Sequence, residues 1–176
     1  MIELIVAVTI FSFLMLAATS IFKMVIDGQR NSISAQNVQE NIRYAMEKMG
    51  KEIRMAQRSD TACIATGVNK VFNTAGSSSE LYFENKDGQC ITYYLDVSGR
   101  LKITVSNGLI VIADDFITPN KIQVSNLKFN VVDNLISDFN SVQPYVTMVM
   151  DVKAVGLAEH EQEIKIQMTV SARYYE

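Results

Sequence analysis

The stretch Leu4-Ile5-Val6-Ala7-Val8-Thr9-Ile10-Phe11-Ser12-Phe13-Leu14-Met15-Leu16-Ala17-Ala18-Thr19-Ser20-Ile21-Phe22 decides how this chain must fold. It holds no charge, proline or glycine. At 1.5 Å rise per residue, a helix through it covers about 28 Å, close to the hydrocarbon thickness of a bilayer. One carboxylate, Glu3, stands at its head. An ionised group in hydrocarbon costs about 2.5 to 3.5 kcal/mol on insertion scales, so Glu3 calls for a counter-charge or a route to water. A helix N-terminus also favours negative charge through its dipole.

Beyond Phe22 nothing signals that the helix stops. Val38, Ile42, Ala45, Met49, Ile53 and Ala56 recur at spacings of three and four, one face of an amphipathic helix. Gln39, Glu40, Arg43, Glu47, Lys48, Lys51 and Glu52 occupy the other faces, with Glu47 and Lys51 in the favourable i, i+4 order. No proline precedes Pro119, and Gly28 and Gly50 are the weak points, so a bend is expected at Asp27-Gly28. A helix from Ile2 to Gln57 is about 80 Å long. The remaining residues form a body of only about 13 to 14 Å radius of gyration. The helix therefore outruns the domain, and its first half projects into lipid or into other subunits.

From Thr61 onward the period becomes two. Leu81-Tyr82-Phe83, Ile91-Thr92-Tyr93-Tyr94-Leu95, Leu101-Lys102-Ile103-Thr104-Val105 and Leu127-Lys128-Phe129-Asn130-Val131 alternate, punctuated by Gly88, Gly99, Gly108 and Pro119. In the last two strands Val146, Met148, Met150 and Val152 oppose Thr147, Asp151 and Lys153. Ile164, Ile166, Met168, Val170 and Ala172 oppose Lys165, Gln167, Thr169 and Arg173. Clean alternation means one buried and one wet face, as in antiparallel sheets. Leu109-Ile110-Val111-Ile112-Ala113 does not alternate and is expected to be buried on both faces. Gly76-Ser77-Ser78-Ser79 reads as a surface turn. The expected class is α+β: a long N-terminal helix whose amphipathic half covers an antiparallel sheet. Its divisions are a hydrophobic helix over residues 1–26, the amphipathic continuation over 27–57, and a globular β domain over 58–176.

The 176 residues allow one domain with an appendage. A net charge of -3 and a pI near 5.2, without a basic patch, speak against nucleic-acid binding. A cleaved secretory signal fits poorly, because an acid sits where the basic region belongs and the apolar run exceeds the usual 7 to 15 residues or so. Cys63 and Cys90 both follow the apolar helix and share one side of any membrane it spans. In an oxidising compartment they pair; otherwise they are two buried thiols.

The opening Met1-Ile2-Glu3-Leu4-Ile5-Val6-Ala7-Val8-Thr9-Ile10 resembles the start of mature type IV pilins and of the pseudopilins of type II secretion. Their motif is a phenylalanine, a threonine, two apolar residues, a glutamate and a long apolar helix. In that pattern the glutamate is fifth after the leader-peptidase cut. Here it is third, so the resemblance places two mature residues and a basic leader ahead of Met1. The stretch Arg43-Tyr44-Ala45-Met46-Glu47-Lys48-Met49-Gly50-Lys51-Glu52-Ile53-Arg54-Met55-Ala56 is similar to the second helical half of minor pilins and J-type pseudopilins. So are Val124-Ser125-Asn126-Leu127-Lys128-Phe129 and Gln143-Pro144-Tyr145-Val146-Thr147.

The resemblance implies a pilin-like fold and a subunit of an extracytoplasmic filament. Such a subunit is held first in the inner membrane, processed by prepilin peptidase, and then packed through its apolar helix against other subunits. Glu3 matches the glutamate that pairs with a neighbour's N-terminal amine, and Leu4, Ile5, Val8 and Phe11 belong to the assembling surface. The alternative is a single-pass anchored extracytoplasmic binding or sensor domain that never polymerises.

Catalytic constellations are lacking in the sequence. His160, the only histidine, lies in Glu159-His160-Glu161, a solvated turn by its neighbours. Nucleophile elbows, phosphate loops and metal-binding histidine pairs do not occur. Asp114-Asp115 and the group Asp133, Asn134, Asp138 and Asn140 offer oxygens without the spacing or glycine of a calcium loop. Tyr93, Tyr94, Tyr174 and Tyr175 read as sheet-face packing. The expectation is therefore no enzyme, no cofactor and no metal.

Overall fold

The computed structural model describes residues 2–59, 63, 65–133, 143–155 and 163–173. Helix α1 (Ile2–Arg54) is followed, among these residues, by β1 (Phe72–Asn73), β2 (Leu81–Glu84), β3 (Cys90–Leu95), β4 (Leu101–Asn107), β5 (Ile110–Phe116), β6 (Ile122–Val132), β7 (Tyr145–Ala154) and β8 (Glu163–Ser171). All pairings are antiparallel. The α+β arrangement expected from the periodicities is the one found.

Helix α1 runs without interruption through Asp27-Gly28, where the sequence predicts a bend. Gly28 costs helix stability, about 1 kcal/mol relative to alanine, but a single glycine does not break the hydrogen-bond ladder of a long helix. The helix ends three residues earlier than the expected Gln57. The amides of Met55 and Ala56 tighten onto Glu52 and Ile53 at 3.0 and 3.2 Å, and Gln57 N–H then donates to the Glu84 carbonyl of β2 at 2.9 Å. A sheet partner has replaced the helical one. Lys51 and Arg54 in the last turn complement the dipole.

The strands form two sheets where the alternation predicts one: β1-β2-β3-β4-β5 and β6-β7-β8. The amphipathic half of α1 lies mainly on β7 and β8 of the smaller sheet. Val38, Ile42, Ala45, Met49 and Ile53 are buried there, with Met148, Met150 and Val170 in the same core. Tyr93, Phe83, Phe72, Leu81 and Leu101 of the larger sheet complete that single core.

The sheets are joined by backbone bonds, Val124 N–H to Gly99 O at 2.7 Å and Phe129 N–H to Ser78 O at 2.6 Å. Gly99, at φ +72°, makes the first possible. A Cβ there would stand 2.8 Å from Gln123 Cγ and 3.3 Å from the Val124 carbonyl oxygen. Asp133 Oδ2 adds a clamp, accepting from Val71 N–H at 2.7 Å and Phe72 N–H at 3.0 Å.

Two expectations are corrected. The alternation puts Asp151 on the wet face of β7, but it is only 7% exposed. The irregularity in β6 between Ser125 and Lys128 carries Asn126 over it, and Asn126 Nδ2 donates to Asp151 Oδ2 at 2.7 Å, with Lys165 Nζ 3.7 Å away on the other oxygen. The second correction is larger. Leu109-Ile110-Val111-Ile112-Ala113 is not buried: Leu109 is 91% exposed and Ile110 72%, and Val111 and Ile112 are exposed as well. The pattern fails to alternate for another reason. Val105 opposes Ala113 but Ser106 opposes Val111, so Ile112 is left unmatched in a bulge at the edge of the sheet. A one-residue slip exchanges faces, which destroys period two without any second covering layer.

Tyr93 is the largest fully buried side chain among the described residues. It stacks on Phe83 with ring centroids 5.8 Å apart, and its O–H donates to the Glu52 carboxylate of α1. Burial, the charge of Glu52 and that hydrogen bond push its phenol far above the ordinary value. Above about pH 10 the unfolded chain releases this proton while the folded chain keeps it, so stability falls as pH rises. The expected slope from this group approaches about 1.4 kcal/mol per pH unit. Alkaline denaturant titration of Tyr93→Phe should show a shallower decline above pH 10 than wild type, and equal slopes would refute the assignment.

Candidate assembly surfaces

Residues 2–25 of α1 are exposed throughout. None of them is buried against the domain among the described residues, so an apolar surface the length of a bilayer stands uncovered there. Contiguous apolar patches on water-soluble monomers rarely exceed a few hundred Å2, and this stripe surrounds the helix. By length and composition α1 is able to cross a membrane.

Its hydroxyls are already accommodated. Thr9 Oγ1 donates to Val6 O at 2.8 Å, Ser12 to Val8 O at 2.8 Å, Thr19 to Met15 O at 2.8 Å and Ser20 to Leu16 O at 3.0 Å. Each hydroxyl is satisfied within its own helix and asks for no partner in an apolar environment.

Glu3 lies in the first turn, where the dipole favours its charge. Among the described residues no cation pairs with it. Leu4, Val8 and Phe11, at steps of four and three, share one stripe with Ile5 beside it, and all four are exposed.

In the domain, Cys63 and Cys90 form a disulfide with Cα atoms 5.4 Å apart. It ties the segment after α1 to the start of β3. Asp114 and Asp115 diverge. Asp114 accepts from Lys102 Nζ at 2.5 Å, Thr104 Oγ1 at 3.0 Å and Tyr94 O–H at 3.2 Å. The Lys102 ammonium, then Thr104, hold its carboxyl below the usual carboxylate range. Asp115 opposes Ile103 on the other face and has no ion pair among the described residues. Asp133 serves the backbone clamp, and no group of three or more His, Cys, Asp or Glu gathers among the described residues. Asn134, Asp138, Asn140, His160, Tyr174 and Tyr175 lie outside the described residues. Tyr94 packs on the wet face beside Lys102, whose ammonium is 5.8 Å from the ring centroid.

One feature has no signature in the sequence. Between α1 and β8 lies a groove of about 470 Å3 with Met46, Met55 and Met168 as apolar lining. Arg43, Lys51, Arg54 and Arg173 surround it, against a single carboxylate, Glu47, which binds Arg43 at 2.9 Å. Lys51, Arg54 and Arg173 have no side-chain partner among the described residues. The spacing 43, 47, 51, 54 marks one stripe of the helix, but Arg173 joins it only through the tertiary fold, its N–H donating to Arg54 O at 2.8 Å. In a chain of net charge -3 this groove is a local reversal of sign.

Comparison with protein-family models, with curated proteins and with solved structures finds no match to this chain.

Proposed function

We propose that the chain is a structural subunit of the minor pilin or pseudopilin kind, assembling through its N-terminal helix into a type IV pilus or a type II secretion pseudopilus. Before assembly it is a single-pass protein of the inner membrane with its β domain on the extracytoplasmic side. Its partners are other subunits and, for the precursor, prepilin peptidase. The single observation that carries this reading is the continuity of α1: one uninterrupted helix whose second half is built into the domain and whose first half is wholly uncovered, headed by a lone carboxylate. The α+β architecture is consistent with a pilin-like fold, and the disulfide suits an oxidising, extracytoplasmic compartment.

Glu3 has a defined role here. A carboxylate that is costly alone among apolar helices is neutralised by a neighbour's N-terminal amine, which selects one axial register over others. Replacing Glu3 by alanine should leave the membrane-bound fraction unchanged and reduce recovery in sheared filaments at least about tenfold, the factor that loss of one 1.4 kcal/mol interaction produces. Unchanged incorporation removes the proposed role of Glu3. Helix-to-helix cross-links at Leu14 in assembled protein separate a filament subunit from an anchored domain that stays single.

A further inference from the structure

The β4–β5 hairpin and the α1–β8 groove have matching chemistry. The hairpin offers an edge strand with Leu109, Ile110 and Val111 exposed, followed by an Asp115 free of ion pairs among the described residues. The groove offers a methionine lining and the cations Lys51, Arg54 and Arg173, which have no side-chain partner among the described residues. Resting on the filament reading above, we propose that these surfaces meet between neighbouring copies, the β5 strand of one protomer docking in the α1–β8 groove of the next.

Charge complementarity selects the occupant. An acidic, apolar strand is what a cationic groove with a soft thioether lining accommodates, since methionine adapts its shape to the side chains it meets. Within one chain the two surfaces lie on different sheets: β5 is the edge of one sheet and the groove borders the edge strand of the other. The contact is therefore heterologous, joining different patches of the two partners, and a heterologous contact propagates where a two-fold contact closes. Pairing β5 with β5 of a second copy would close the assembly and leave the groove cations unmatched. A lipid surface is disfavoured as the hairpin's partner. Asp114 and Asp115 follow the apolar run on the same strand, and Lys102, across from it on β4, is engaged by Asp114. Both β5 and β8 are edge strands, so backbone pairing is open to support the contact.

The test uses the full-length chain at high density in liposomes containing anionic lipid. Leu109 is replaced in one sample by photo-reactive benzoylphenylalanine, and Leu14 in another. The expected result is a cross-linked dimer from the Leu109 sample whose joined peptide comes from residues 43–55 or from β8 of the other copy. Adding Asp115→Lys should lower its yield about tenfold. Mixing Asp115→Lys copies with Arg173→Glu copies should restore it. Leu109 and Asp115 are exposed, so these changes leave the core untouched. Capture of β5 by β5, capture of lipid, or no capture from Leu109 while Leu14 still links helices overturns the docking and leaves the filament reading standing. Loss of the Leu14 link as well overturns both.

Discussion

Truncating Phe83 to alanine is expected to destabilise the folded domain by about 3 to 5 kcal/mol, more than any other single substitution proposed for this chain. The ring is 0% exposed, in the middle of a four-residue strand. It stacks on Tyr93 at 5.8 Å and meets Phe72 edge-on at 6.2 Å, so it is the middle member of an aromatic row across three strands. Its removal takes away the transfer free energy of a large apolar side chain and leaves a cavity among stiff neighbours that collapse poorly. The aromatic contacts add about 0.5 to 1.5 kcal/mol each beyond buried area. Denaturant unfolding of the full chain in detergent micelles, followed by near-ultraviolet circular dichroism of the tyrosines, measures the change. A loss below about 1 kcal/mol would mean that the row is not the centre of the core.

Removing the Cys63–Cys90 disulfide by a double serine substitution is the second large effect. The bond closes a loop between residues 27 positions apart. The chain-entropy relation then gives about 3.6 kcal/mol of stabilisation, exerted by restricting the unfolded chain. Its location adds weight. The loop holds β1 and β2, and Phe72, Leu81 and Phe83 contribute to the core from there. The double variant should unfold at lower denaturant concentration, whereas a reducing agent should leave it unaffected and bring wild type down to its level. Coincident curves for oxidised wild type and the variant would dismiss the effect.

Much of the architecture is legible in the sequence because it rests on local periodicity. Val38 to Ile53 mark the buried stripe of α1, and the strict alternation of β8 marks its faces, since both depend only on which side of an element meets the core. What escapes detection depends on distant partners. The apolar run at Leu109 carries the same composition whether a second layer covers it or it overhangs the edge of a sheet, and the bulge at Ile112 erases the period that would tell the cases apart. Asp151 sorts with the wet residues by pattern because the covering Asn126 arrives from another strand. Of the candidate assembly surfaces, the apolar helix and Glu3 are evident at once. The cationic groove is not, because Arg173 reaches Arg54 from the far end of the chain. A stripe of charges on a helix looks like ordinary solvated surface until a strand encloses it.

The hydroxyls of Thr9, Ser12, Thr19 and Ser20, each turned back onto its own helix, carry a consequence for how α1 changes surroundings. Hydrocarbon tails and neighbouring apolar side chains are nearly equivalent solvents, so moving the helix from one to the other gains little from the hydrophobic effect. With no hydroxyl to unbind or rebind, the exchange carries no polar toll either. If α1 makes the exchange proposed above, its hydroxyls add nothing to the cost, and the balance rests on packing fit and on whether Glu3 gains a counter-ion. On that reading, the hydroxyls of α1 hold it to neither surrounding in preference to the other.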